Sequence, residues 1–130
     1  RMSNHLHLRG FTGRSALDAP HITAHMINPA LQPVLSAIPA LTLADVYARG
    51  DEYDYAQSLQ RALKQIAGDA LGACLREDLI ALQDTGLDRL GARRGALAQK
   101  YARFDHPAAV EVCAWLSGAY AVSAEQVQTQ

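Results

Sequence analysis

The chain reads as an all-α protein, an up-down four-helix bundle behind an extended or disordered N-terminal leader. Three observations predict this. Of 130 residues, 49% are hydrophobic but only 6% aromatic, so the core must be chiefly leucine and alanine, side chains that favour helices. Beyond about residue 40 the apolar residues recur every three or four positions, the period of a helix with one buried face. Glycines at 50, 68, 91 and 95 punctuate these runs, and the links are short enough to fold successive helices back beside one another. The length corresponds to about one domain with a real core.

Residues 1–27 are polar and carry four of the five histidines, His5, His7, His21 and His25. No periodic apolar face emerges there, so the segment reads as a flexible leader, and it lacks the continuous apolar stretch of a secretory signal. Residues 28–122 form the helical domain. Asn28-Pro29 has the form of a cap followed by proline at the first helical position. Pro33 and Pro39 each lack an N–H and clash with the preceding turn, which predicts short turns and then a helix from about Pro39 or Thr42 to Ala48. Thr42 and Asp45 stand at capping-box spacing.

Gly50 ends that helix and Asp51 can cap the next. Helix two runs from Glu52 to about Ala67, with Tyr55, Leu59, Leu63 and Ile66 inward. Gly68 terminates it, and Asp69 opens helix three, with Leu71, Cys74, Leu75, Leu79 and Leu82 on one face, continuing to about Leu90; Gly86 weakens its end and Thr85 is an alternative restart. Leu97, Tyr101 and Phe104 continue the stripe after Gly95. Asp105-His106-Pro107 marks a kink or a cap and restart, and Val110 to Ala121, with Trp115, completes the last helix. Residues 123–130 begin a linker or a further helix, since Ser123 to Gln126 has capping-box spacing. Arg1 ahead of Met2 reads as a remnant before an initiator, so that the chain is the N-terminal piece of something longer.

A net charge of -1 and a pI near 6.6 argue against a general nucleic-acid binder. No apolar run approaches the ~20 residues that span a bilayer. A phosphate-cradling glycine loop, a paired-histidine zinc motif and a CxxC are all missing from the sequence, so no catalytic residue, metal or cofactor is assigned and the chain reads as not an enzyme. The leader histidines imitate metal ligands by spacing but lack the rigid support a site needs. Cys74 and Cys113 read as buried thiols, with a disulfide as the alternative. Asp51, Glu52 and Asp54 are explained by the first turn of helix two, where negative charge complements the helix dipole. A small enzyme with a cleft at Asp105 and His106 is a rival reading.

The arginines carry more. Tyr47-Ala48-Arg49-Gly50 and Gly91-Ala92-Arg93-Arg94-Gly95 each precede a helix. If the helices alternate in direction, these two turns, one down-and-up pair apart, fall at the same end. That gathers Arg49, Arg93 and Arg94 with Tyr47 and Leu90 on one tip. Either loop alone is explained as a soluble turn. Together they make a cationic, apolar tip suited to an anionic surface, where each basic residue contributes about 1 kcal/mol and guanidinium groups grip phosphates bidentately. The same charges could instead dock onto an acidic protein face.

The stretches Val46-Tyr47-Ala48-Arg49-Gly50-Asp51-Glu52-Tyr53 and Gly91-Ala92-Arg93-Arg94-Gly95-Ala96-Leu97 resemble the tip loops of the four-helix-bundle membrane-localisation domains of bacterial toxins and effectors, over about residues 40–120. A polar leader ahead of Ala-rich helices is similar to the lipid-raft-targeting domains of type III secreted effectors. The resemblance implies a non-catalytic domain that binds anionic phospholipids of the host plasma membrane through Tyr47, Arg49, Arg93 and Arg94. It implies a parent secreted into the host cell and held peripherally on the membrane's cytoplasmic face. It further implies a leader that acts as a secretion signal and binds a type III secretion chaperone as extended chain. Prolines at 29, 33, 39 and 107 depart from the family's pattern. The alternative is a protein-interaction bundle, an adaptor or secretion-regulatory module, which would expose a continuous apolar groove.

Overall fold

The computed structural model describes residues 2–122; Arg1 and the capping-box spacing at Ser123–Gln126 lie outside the described residues. The described chain is all-helical, with no strand among its elements. The first helix, α1, spans Pro33–Arg49, beginning earlier than Pro39. Pro33 occupies the first helical position, where a missing N–H costs nothing. Pro39 lies inside the helix; the penalty of its lost bond is outweighed by burial of Leu35, Ile38, Leu43 and Val46 along one face. Asn28-Pro29 opens no helix.

Gln32 offers α1 no side-chain cap. Glu111, from a distant helix, does so instead. Its Oε1 accepts from the Val34 N–H and its Oε2 from the Leu35 N–H, both at 2.9 Å. A carboxylate there satisfies two of the donors every helix start leaves open and meets the positive end of the dipole.

Gly50, with φ 56, ends α1. A 3-10 turn, Gly50–Glu52, then precedes α2, Tyr55–Glu77. Asp51 and Glu52 therefore lie on that turn rather than in the helix's first turn, and Asp54 is the cap, its Oδ1 accepting from the Gln57 N–H at 2.9 Å. α2 is a hairpin. Gly68, at φ 77 and ψ 178, breaks it in a conformation that only glycine adopts readily. The halves fold back on each other: Arg76 Nη1 donates to Gln60 Oε1 at 3.1 Å, although these residues would be about 24 Å apart along a straight helix. A Cβ on Gly72 would fall 3.0 Å from the Leu63 carbonyl oxygen, so glycine is what permits this close approach. The break at Gly68 and the restart at Asp69 are as the sequence predicts.

The expected continuation to Leu90 is not observed. A π-helical stretch, Ile80–Thr85, is followed by Gly86 at φ 86 and a 3-10 turn, Leu87–Arg89. α3 spans Arg93–Tyr101 and α4 spans Pro107–Ser117. Asp105-His106-Pro107 is a cap and restart: His106 Nδ1 accepts the Ala108 N–H at 3.0 Å, and Pro107 takes the first helical position. Gly118, in the left-handed region at φ 88, closes α4 in the way helices commonly end, so the helix stops at Ser117, four residues before the predicted Ala121. α3 and α4 run antiparallel, with Arg94 Nε donating to Leu116 O at 2.5 Å and Cys113 Sγ meeting Ala98 O at 4.0 Å. Both cysteines are free thiols.

The core gathers Leu35, Ile38, Leu59, Leu63, Leu75, Leu82, Tyr101, Val112 and Trp115 into one cluster. Two members come from the leader: Leu6 and Leu8 are both 0% exposed. Residues 3–11 run as a strap across the helices. The Trp115 indole donates to Ser3 O at 3.1 Å, the Leu6 N–H to Leu82 O at 3.0 Å, and the Leu8 and Arg9 N–H groups to Gln83 Oε1 at 2.8 and 2.9 Å. Further on, the Phe11 N–H donates to Thr42 Oγ1 and the Tyr53 hydroxyl to Phe11 O, both at 2.9 Å. A disordered leader is therefore corrected for this segment. Its two inward leucines alternate at the two-residue period of extended chain, a signal too short to register against a helical one.

Candidate functional site

Because α2 doubles back at Gly68, its first turn and the Gly86 break after it lie at the same end of the hairpin. Arg9 sits there, ion-paired with Asp84 and within reach of Tyr55; Asp84 first, and Tyr55 more weakly, hold its guanidinium charge more firmly than usual. The segment Arg49–Tyr53 thus faces the same pole as the segment after Thr85, and the strap of residues 5–11 passes between them, bonding to Gln83 on one side and to Thr42 and Tyr53 on the other.

The five predicted tip residues fare differently. Arg93 is exposed at the start of α3. Arg49 is exposed and its Nε stands 3.6 Å from Asp45 Oδ1, a loose surface pair worth about 0–1 kcal/mol. Arg94 is exposed, yet its Nε donates to Leu116 O, one of the last carbonyls of α4, where a cation meets the negative end of the dipole. Tyr47 is half-buried, its hydroxyl 2.7 Å from His25 Nδ1. Leu90 cannot enter a membrane: it is 2% exposed and belongs to the core. The Leu87–Arg89 turn is 3-10, whose three-residue period puts Leu87 and Leu90 on one side, and both pack inward.

Beneath the first turn Asp45 is a hub. The Ser58 hydroxyl donates to Oδ2 at 2.7 Å and Arg61 Nη2 at 2.8 Å. Ser58 first, then Arg61, hold this carboxyl below the usual carboxylate range. A folded-state pKa below the unfolded value means stability that is present above about pH 4 and lost as pH falls through that range toward the lowered value. Asp45→Asn is therefore expected to lower the urea midpoint more at pH 7 than in acid; an equal loss at both would contradict this role.

Sequence reasoning missed two clefts. One, of about 390 Å³, lies between residues 14–26 and the end of α1 and is lined by Arg14, Asp18, His21, His25 and Tyr47. The other, of about 1120 Å³, lies along the strap, with His5, His7, Arg9, Phe11, Gln83 and Tyr120 in its wall. The four leader histidines are thus divided between two clefts, two in each. Among the described residues no group of three or more His, Cys, Asp or Glu side chains could hold a metal ion. Asp105 and His106 line neither cleft, and the His106 ring is occupied as a helix cap. No helix among the described residues is long and apolar enough to cross a membrane.

The architecture defines an all-helical protein whose N-terminal strap is integral to its core. The chain belongs to the beta-N-acetylglucosaminidase family, whose model matches residues 1–83, the region of the strap, α1 and α2. No curated protein and no solved structure matches it. Family membership overturns the expectation that the chain is not an enzyme. That expectation rested on nucleotide, zinc and dithiol signatures, whereas glycoside hydrolysis generally draws on two carboxyl groups placed by the fold, a constellation with no fixed spacing in sequence. Within the matched region Asp45 is bound to Ser58 and Arg61, Asp54 caps α2, Asp69 pairs with Lys64, and Glu77 and Asp78 pair with Lys100. Among the described residues Asp18 is the one carboxylate lining either cleft.

Proposed function

We propose that this chain is the membrane-targeting region of a secreted bacterial toxin or effector belonging to the beta-N-acetylglucosaminidase family. It holds its parent on the cytoplasmic face of the host plasma membrane by binding anionic phospholipids through Tyr47, Arg49, Arg93 and Arg94. The observation that supports this most is the doubling back of α2, which turns the Arg49 segment and the segment after Thr85 toward one pole. Two exposed guanidinium groups and a third shared with α4 give weak, reversible capture.

Co-sedimentation with phosphatidylserine vesicles tests the reading. Arg94 also caps α4, so the informative variant is Arg49→Glu with Arg93→Glu. At about 1 kcal/mol per charge, doubled by reversal at two positions, affinity is expected to fall by up to about a thousandfold, and added salt to weaken the wild type. Unchanged vesicle binding would reject the tip. A type III secretion chaperone is a further proposed partner; with Leu6 and Leu8 in the core, it would take residues 12–31, where Leu17, Met26 and Leu31 stand exposed. That exposed leader also favours a second reading, a protein-interaction module, for which vesicle binding would be absent.

A further inference from the structure

We infer that the 390 Å³ cleft beside Tyr47 is a pocket for a lipid phosphate headgroup, and that Leu17, Ile22 and Met26 around it are the side chains that enter the acyl layer. This rests on the membrane reading above and names the part of the surface that the buried Leu90 leaves unfilled.

Arg14, His21, His25 and Tyr47 line the cleft, and Asp18 is its single carboxylate. Arginine offers a planar fork of donors to a phosphate, while histidine adds an N–H donor. His25 is held in place. Its ring meets Tyr47 edge-on at 5.8 Å and Phe11 edge-on at 6.4 Å, and its Nδ1 bonds the Tyr47 hydroxyl. When that hydroxyl donates to Nδ1, the ring proton is on Nε2, which then serves as a donor.

The rim is apolar and exposed. Met26 is 90% exposed and Leu17 74%, with Ile22 less so. Single exposed apolar residues are ordinary; here Ile22 and Met26 line the cleft beside Arg14, Asp18 and two histidines, and Leu17 precedes Asp18 on the same turn, so the three make a patch. The 3-10 turn that carries Leu17, Ala16–His21, packs against the end of α1, the Ala16 Cβ lying 3.8 Å from a Cβ built on Gly50. The cleft is therefore continuous with the Arg49 turn. Asp51 and Glu52 on the neighbouring turn are exposed and outside its lining. Charged groups below, apolar groups at the rim and a shared tyrosine fit a headgroup whose chains remain in the bilayer.

The test uses the whole chain with phosphatidylcholine vesicles containing either phosphatidic acid or phosphatidylserine, and inorganic phosphate followed by imidazole NMR shifts. Arg14→Ala with His21→Ala should weaken phosphatidic acid binding about tenfold or more while reducing phosphatidylserine binding less. Leu17→Ser with Met26→Ser should weaken binding to both vesicles by about tenfold and leave the phosphate-induced shift of His25 intact; both residues are exposed, so folding is not at issue. Wild-type vesicle binding that survives both leader variants overturns this pocket and leaves the Arg49–Arg93 tip standing. Loss in the leader variants with none in Arg49→Glu/Arg93→Glu does the reverse. Phosphate shifts at His25 without any effect of the pair Arg14→Ala/His21→Ala on vesicles would make this a free-phosphate site and overturn the lipid assignment. Failure of the wild type to bind any anionic vesicle overturns both.

Discussion

Alanine at both Leu6 and Leu8 is expected to remove roughly 4–10 kcal/mol of folding free energy, at about 2–5 kcal/mol for each fully buried leucine. Single domains are stable by only about 5–15 kcal/mol, so the double variant should be unfolded or close to it at 37 °C. Both side chains are completely covered and sit in one cluster with Leu82, Trp115 and the α1 leucines. Each deletion leaves a cavity as well as losing its own transfer energy. The surrounding backbone would follow, because the strap's bonds to Leu82 O, Gln83 and the Trp115 indole exist only while it is seated. Urea denaturation followed by tryptophan fluorescence is a direct readout, since Trp115 lies beneath the strap. Leu17→Ala is the control: at 74% exposure it should shift stability by no more than about 0.5 kcal/mol. A double variant as stable as this control would mean that the strap is an ornament on the helices rather than part of the core.

The helices were legible where one local signal decided them. Gly68 needs a positive φ, and its place between two apolar stripes announced the hairpin. Trp115, Tyr101, Leu63 and Leu75 occupy the inward positions that their spacing implies. The sequence misled where distant groups decide the outcome. Pro33 and Pro39 argued against a long first helix because local rules cannot know that Glu111, far along the chain, will cap it and that its apolar face will be buried. The leader appeared structureless because Leu6 and Leu8 make a two-residue pattern inside a histidine-rich segment, and such a strand-like strap needs partners from four other segments.

For the candidate site, the pattern predicted one shared pole for the arginine turns but could not assign individual side chains. Arg94 is drawn to the end of α4 because unsatisfied carbonyls are there, and Leu90 turns inward because a π-helical stretch and a 3-10 turn replace the α-helix that was expected to present it. The exposed apolar residues next to Tyr47 come instead from the leader, which no helical periodicity could have indicated.

Glu111→Ala is expected to cost about 2–5 kcal/mol, the second large effect, although Glu111 touches no cleft and lies outside the family-matched region. Only 8% exposed, its carboxylate is the single side chain that satisfies the first N–H groups of α1. Its loss leaves the buried Leu35 N–H unmet, at about 1–3 kcal/mol, and the half-buried Val34 N–H unmet at less, and removes a charge–dipole attraction of about 0.3–2 kcal/mol. Glu111→Gln separates the two contributions. The amide keeps one acceptor oxygen but turns its NH₂ toward the other N–H, so it should recover roughly half of the loss. Thermal unfolding gives the size of the effect, and amide hydrogen exchange gives its location. Protection should fall first at Val34 and Leu35, at the foot of α1, and remain near wild type in the α2 hairpin, whose halves are closed by Gly68 and Gly72. Uniform loss of protection across both helices would show that Glu111 acts through general packing; a local loss shows that α1, and with it the Tyr47 and Arg49 end, is fastened to the last helix by one carboxylate.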